Sequence, residues 1–467
     1  MMEWFLNTVG VVWGLFLALV GLSFLVFIHE MGHYLFARRC GVFVYEFAVG
    51  FGPRVWSRRN RKSGTIWSFR AIPLGGFVRM LGSMEAEDTQ PSISVGSRIY
   101  IRVDDEGRVD TLYLYDPGET EKRELGKGSF TWYEGMVRAV DFKDSMTISL
   151  DVQEKGTSSP RSFPVLVGAG VYSGSGSDKT LVRVVPPHLR YDAKGRGKRV
   201  LVSFAGPLFN ILLAIPLLFF YTGVSDKDRL FFDDVLDSSP AMRAGIQPGD
   251  ALEKVSNFEV MGRRFSQNAY VKALGKNEPM ILTVRGADDQ RRDVELIPKP
   301  LQEGRKISSF SGMMSEIGVT YDFRPQTIRW LDIPRISFAH AAWMAESTWD
   351  SIVGIFTKGI PLYGPERKGG GPLLVIKMLV DSTKSLNAFL YILANLSFVL
   401  AFFNLIPFIP VLDGGRIFLL LIEAIRRKPN TPRVEMVLAA LGFFLMILFF
   451  VYVSIGDIIH LVNQFMS

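Results

Sequence analysis

The chain has 467 residues, 48% of them hydrophobic, and a formal net charge of +7. A sequence this apolar and this long excludes a single soluble domain and requires several domains, some of them in a membrane. The basic residues flank apolar runs instead of gathering on one soluble face, so they read as a topology signal and not as a nucleic-acid surface. The single cysteine, Cys40, excludes an intramolecular disulfide framework and any CxxC metal site.

Four stretches carry no charge over a bilayer-spanning length: Thr8–Ile28, Val200–Val224, Ser385–Leu412 and Met436–Gly456. They predict a polytopic α-helical membrane protein with transmembrane helices within 1–37, 199–224, 385–415 and 434–457. The first has no Lys or Arg ahead of it and no small-residue cleavage site before His29, so it is expected to stay in the mature protein. Arginines and lysines follow the first run (Arg38, Arg39, Arg54), precede the second (Arg196, Lys198, Arg199) and lie between the last two (Arg426, Arg427, Lys428). The positive-inside rule makes those loops cytoplasmic and puts both termini and the segment 225–384 on the other side.

Residues 41–82 read as short apolar strands broken by glycine turns, a membrane-associated β-loop. From 83 to 192 polar and apolar residues alternate, as in Arg98-Ile-Tyr-Ile-Arg-Val103, which predicts a cytoplasmic β-rich insert. Residues 228–300 combine strand-like runs with Ser239-Pro-Ala-Met-Arg-Ala-Gly245, a short helix and its glycine stop, and predict an extracytoplasmic α+β domain. A linker, 301–384, contains an amphipathic helix at 339–357.

The chemistry concentrates at the end of the first run. His29 and His33 are four apart, so on a helix both imidazoles leave one face and can hold one zinc, with Glu30 beside them to take a proton from water. An ionisable group at the end of an apolar helix is costly and marks a functional site or a polar cavity. Zinc needs a third protein ligand and an open position. Asp413 is a candidate, because the prolines and glycines of Asn404–Gly415 free backbone to line a cavity; it can also serve as a helix cap or as a partner of Arg416. Glu423 and Glu435 are the alternatives in a glutamate-ligand architecture. His188, His340 and His460 are expected to be surface or packing residues.

These motifs together resemble the site-2 protease family of intramembrane zinc metalloproteases. The resemblance rests on His29-Glu-Met-Gly-His33, Gly50-Phe-Gly-Pro53, Pro73-Leu-Gly-Gly76, Ala205-Gly-Pro-Leu-Phe-Asn210, Gly371-Pro372 and Asn404–Gly415, in that order. It is strongest to the bacterial RseP and RasP branch, with the insert more similar to the Gram-positive RasP type. The prolines Pro407 and Pro410 are separated by two residues where the family pattern has one.

The resemblance implies one Zn2+ bound by His29, His33 and Asp413, with Glu30 as general base. It implies substrate-binding roles for Asn404, Asn210, Gly75 and Gly76, and a PDZ-like fold for residues 228–300. The implied substrates are single-pass membrane proteins, such as anti-sigma-factor stubs already trimmed by another protease or signal-peptide remnants. The implied setting is a bacterial inner or plasma membrane, with the active site near the cytoplasmic side, the PDZ-like domain outside and no nucleic-acid partner. A competing class, a catalytically silent adaptor using its PDZ-like domain, has no need of an intact His-Glu-x-x-His set.

Overall fold

A computed structural model describes residues 2–60, 63–82, 93–119, 122, 130–154, 157–174, 180–224, 228–256, 258–259, 279–286, 288–296, 317–325, 330–359, 371–428 and 430–466. Parts of the expected segments lie outside the described residues: 61–62 of the β-loop, 83–92, 120–121, 123–129, 155–156 and 175–179 of the insert, 257, 260–278, 287 and 297–300 of the α+β domain, and 301–316, 326–329 and 360–370 of the linker.

Helix α1 (Met2–Arg39) leads into strands β1 (Val44–Arg59) and β2 (Ile66–Met80). Six strands follow: β3 (Arg98–Val103), β4 (Val109–Tyr113), β5 (Thr131–Asp141), β6 (Thr147–Glu154), β7 (Thr157–Ser173) and β8 (Thr180–Val184). After helix α2 (Arg196–Val224) come β9 (Asp228–Val235), the short helix α3 (Pro240–Arg243), β10 (Ala251–Val255), β11 (Phe258–Glu259), β12 (Met280–Arg285), β13 (Arg291–Leu296) and β14 (Val319–Pro325). The chain ends in helices α4 (Ile333–Lys358), α5 (Pro372–Ser382), α6 (Leu386–Asn404), α7 (Asp413–Arg426) and α8 (Pro432–Met466). Among the described residues, four stretches, Gly10–Arg39, Arg196–Val224, Leu386–Asn404 and Val434–Asn463, are long and apolar enough to cross a membrane.

Contacts divide the chain into two units. One comprises Met1–Ala18, Asn210–Phe402 and Val453–Ser467; the other comprises Leu19–Phe209 and Phe403–Tyr452. In the first, the sheet β13-β12-β10-β9-β14 shares one core with the helices, through Leu230, Phe232 and Leu282 on strands and Leu218, Met344 and Phe398 on helices. Ser239 caps α3, its hydroxyl accepting from the Met242 amide at 3.1 Å, and Pro240 opens the helix where no N–H is needed. The helix expected over 339–357 is longer, starting at Ile333. His340 on it is buried and 6.3 Å from the Tyr221 ring, a packing position, whereas His188 is exposed; the side chain of His460 lies outside the described residues.

In the second unit the insert closes on itself. Its strand order is β4-β3-β5-β6-β7-β8; a parallel pairing of β4 with β7 joins the ends of the first five, and β8 pairs with β7 alone. The core of this small barrel, built on Ile99, Ile101, Leu112, Ile148 and Leu150, draws only on the insert.

Two features differ from the sequence reading. The expected run of short strands at 41–82 is two long ones, because the glycines at positive φ (Gly50, +89°; Gly52, +83°; Gly75, +90°) bend the strands without ending them. Val44–Phe51 pairs with Ile72–Met80 and Arg54–Arg59 with Ile66–Arg70, while Glu46–Val49 also lies beside Ile66–Phe69. The third apolar segment, read as one element over 385–415, stops at Asn404 and restarts as α7 at Asp413. Pro407 and Pro410, which have no N–H to donate and whose rings clash with the preceding turn, fall in that break.

Candidate metal centre and substrate cleft

The metal centre and cleft belong to the second unit; Asn210 and its partner Ser397 belong to the first. α1 continues past the motif to Arg39, so the spacing of four puts the His29 and His33 rings on one face, edge to face with centroids 4.9 Å apart. The His33 Nδ1 lies 2.8 Å from the Val202 carbonyl oxygen of α2. A carbonyl can only accept, so Nδ1 carries the proton and the Nε2 lone pair is left for a ligand. Asp413 opens α7, and its Oδ2 stands 3.2 Å from Nε2 of His29 and 3.2 Å from Nε2 of His33, which are themselves 3.2 Å apart. All three residues are buried, at 8%, 7% and 7% relative exposure.

A zinc ion fits this triangle. Tetrahedral zinc with ligands at about 2.0–2.1 Å spaces them about 3.3–3.4 Å apart, close to the separations seen, and two imidazole nitrogens with one carboxylate oxygen are a zinc donor set. Three such electron-rich atoms, buried together, need a cation among them. Among the described residues this is the one group of three His, Cys, Asp or Glu whose ligand atoms all lie within 4.8 Å of one another. Glu423 is engaged elsewhere, as counter-ion to Arg196 at 3.1 Å and Arg199 at 2.6 Å, and neither it nor Glu435 joins the group.

The two rings can occupy this place only because α2 has no side chain at Gly206. A methyl group there would overlap His33 Nε2 and lie 2.7 Å from Cε1 of His33 and 2.8 Å from Cε1 of His29. Reciprocally, a Cβ on Gly32 of α1 would run into the Ala205 carbonyl. Small residues that let helix backbones approach are how apolar helices pack without a hydrophobic driving force. Neither glycine was singled out from the sequence, although each sits inside a motif that was.

The metal centre opens on a cavity of about 480 Å³ lined by His29, Glu30, His33, Asp413, Asn404 and Arg416, and by Gly76, Phe77, Val78, Arg79 and Met80 of β2. Asn404, the last residue of α6, and Gly76 are therefore at the cleft. Gly76 brings β2 against the candidate base: a Cβ on it would lie 2.8 Å from the Ala48 carbonyl and 3.1 Å from Glu30 Cγ. Gly75 has a different task, since its positive φ turns the strand and leaves no room for a side chain under the Phe51 ring. Asn210, in the other unit, is fully buried, and its backbone carbonyl accepts a hydrogen bond from the Ser397 hydroxyl at 2.7 Å. Phe77, Arg79 and Arg416 line the cleft without having been anticipated; Arg416, one helical turn after Asp413, was legible from spacing.

Peptidase family M50 matches residues 17–449 of the chain. A Staphylococcus aureus protein named "Putative zinc metalloprotease" is 31% identical over 447 residues, covering 93% of this chain and 95% of that one. A Streptococcus pneumoniae protein of the same name is 29% identical over 448 residues, covering 94% and 96%. "Probable protease eep" of Enterococcus faecalis is 27% identical over 443 residues, covering 93% and 96%. The chain belongs to peptidase family M50: it is a membrane protein and a zinc metalloprotease of the site-2 type.

Proposed function

We propose that this member of peptidase family M50 hydrolyses peptide bonds within transmembrane segments of single-pass membrane proteins, with one zinc held by His29, His33 and Asp413 and with Glu30 as general base. The observation that carries the reading is the triangle of ligand atoms 3.2 Å on each edge, in the same cavity as Glu30. When bound, zinc supplies the Lewis acidity that makes water a nucleophile near neutral pH and polarises the scissile carbonyl. Glu30 takes the proton from the attacking water and returns it to the departing amine. His33 is held in the ligating tautomer by the Val202 carbonyl. Asn404 offers an amide to the substrate backbone beside the metal.

A transmembrane helix shields its peptide bonds by hydrogen-bonding them internally, so cleavage requires a locally extended substrate with new backbone partners. Gly76–Met80 supports such a role: it lines the cleft, it pairs with Val44–Val49 on one side, and among the described residues no strand pairs with its other side. The unwound segment adds there as a further strand. In an edge strand alternate amides point outward, so proline at Phe77 or at Val78 removes an outward N–H in one of the two cases. One of the two variants then loses cleavage with zinc retained; full turnover by both would exclude strand addition.

The exposed apolar residues Phe51, Val55, Trp56, Phe69 and Ile72 on β1 and β2 support placement of this ribbon in the membrane face, and the basic loops support a cytoplasmic orientation for the catalytic end. Residues 228–300, which carry β9 to β13 and α3, are then the extracytoplasmic, PDZ-like domain, acting as a filter that admits substrates whose ectodomain has been trimmed, such as anti-sigma-factor stubs or signal-peptide remnants. Removal of 230–300 should let untrimmed substrates be cut; unchanged selectivity would exclude the filter.

The test of the central reading is cleavage of a single-pass stub lacking its ectodomain by the purified protein in detergent with zinc. Cleavage by wild type and not by Glu30→Gln is the expected result. Equal cleavage by both would break the assignment of Glu30, and cleavage by neither across several stubs would favour the adaptor reading.

A further inference from the structure

Glu46 is a carboxylate with no exposed surface on an otherwise apolar part of β1, and it is neither a cleft residue nor part of the metal group. The ribbon formed by β1 and β2 has four runs: 44–51, 54–59, 66–70 and 72–80. Glu46 belongs to the first, and its partners come from the other three. Arg54 donates from Nε at 3.2 Å and from Nη2 at 2.9 Å. The Ser68 hydroxyl donates at 2.8 Å and Arg70 Nη2 at 2.7 Å. Arg79 Nη1 stands 3.9 Å away, and the Arg70 and Arg79 guanidiniums lie 4.9 and 5.2 Å from the centroid of the Phe77 ring.

Burial alone would raise the pKa of this carboxyl, but the hydrogen bonds from Arg54, Arg70 and Ser68 outweigh it and hold the group below the ordinary glutamate range, so it is ionised. A buried charge with directional partners selects one arrangement among competing ones. Selection is needed here, because Glu46–Val49 runs beside both Gly76–Arg79 and Ile66–Phe69, and a one-residue slip of either would turn every side chain to the other face.

We infer that Glu46 is a positioning residue for the protease, clasping the four runs so that the edge Gly76–Met80 and Arg79 face the cleft in the register an extended substrate requires. The inference rests on the strand-addition reading above and goes beyond it by naming what holds the edge. Glu46 itself touches neither substrate nor metal.

The test uses the full-length protein in detergent with zinc, a single-pass stub as substrate, and four measurements: zinc content, thermal unfolding, kcat with KM, and amide hydrogen exchange. Glu46→Gln should keep one zinc per chain and raise KM by about tenfold, the loss of about one charge-assisted hydrogen bond's worth of ordering, with kcat changed much less. Exchange should quicken in residues 66–80 and not in α1. Glu46→Asp, which keeps the charge, should recover most of the KM. Unchanged KM in Glu46→Gln, or Glu46→Asp as impaired as Glu46→Gln, overturns the clasp. If Glu46→Gln does not fold, Arg54→Gln decides, since Arg54 donates two hydrogen bonds to Glu46, does not line the cleft and has a side chain 41% exposed, so that its loss is tolerable: raised KM at full zinc content supports the clasp and unchanged KM overturns it. Proline at Phe77 and Val78 separates the two readings. No effect of either proline removes strand addition itself, whereas impairment by proline with wild-type KM in Glu46→Gln removes the clasp alone.

Discussion

Gly206→Ala tests most directly how the helices build the metal centre. The added methyl would lie 2.8 Å from His29 Cε1 and 2.7 Å from His33 Cε1, and nearer still to His33 Nε2. Non-bonded carbon atoms settle at about 3.5–4.0 Å, so the rings or α2 must give by about 1 Å. Overpacking of this kind costs about 1–3 kcal/mol, and alanine returns about 1 kcal/mol of helix propensity, so stability should fall by no more than about 2 kcal/mol. Function should suffer far more, because a 1 Å displacement of reacting groups costs about 100-fold. The assay is kcat/KM on a transmembrane stub beside zinc content and the thermal midpoint. Gly197→Ala is the control, since it lies on the same helix with nothing within 4 Å of its new methyl, and it should leave zinc content and turnover unchanged. Zinc content and turnover in Gly206→Ala within about twofold of wild type would refute the claim that this glycine makes room for the ligand rings.

The other predictions follow from the same geometry. Asp413→Ala should lose zinc while Glu30→Gln keeps it, and the latter should lower turnover by about 10²–10⁴-fold, the range for a removed general base. Full zinc content in Asp413→Ala would return the third ligand to a glutamate. Gly76→Ala, whose methyl would meet the Ala48 carbonyl at 2.8 Å and Glu30 Cγ at 3.1 Å, should cut turnover by about tenfold or more at unchanged zinc content, read by the same stub assay. Ile101→Ala, in the self-contained core of the insert barrel, should destabilise that barrel by about 2–5 kcal/mol, seen as faster hydrogen exchange across residues 98–184. Zinc content should not change, and its loss would show that the barrel and the metal centre do not fold separately.

The sequence by itself determined whatever is periodic or local. Uncharged runs of bilayer length set the four apolar helices, because hydropathy needs no partner to be read. The spacing of His29, Glu30 and His33 put two donors and a carboxylate at one helix end, because helical geometry alone fixes which residues share a face. Alternation marked the insert as β-rich, although the parallel β4–β7 pairing that closes it joins segments some sixty residues apart and leaves no local trace.

Tertiary structure decided everything that depends on approach between distant segments. The pairing of Asp413 with the histidines, its place at the start of α7 after a proline-broken segment, and the commitment of Glu423 to Arg196 and Arg199 are long-range facts. So are the need for Gly206 opposite the rings and the convergence of Arg54, Arg70, Arg79 and Ser68 on Glu46. A glycine in a helix and a glutamate in a strand carry no one-dimensional signal of what packs against them. Their meaning is set by close packing, in which a single methyl group or a single buried charge changes what can lie next to it.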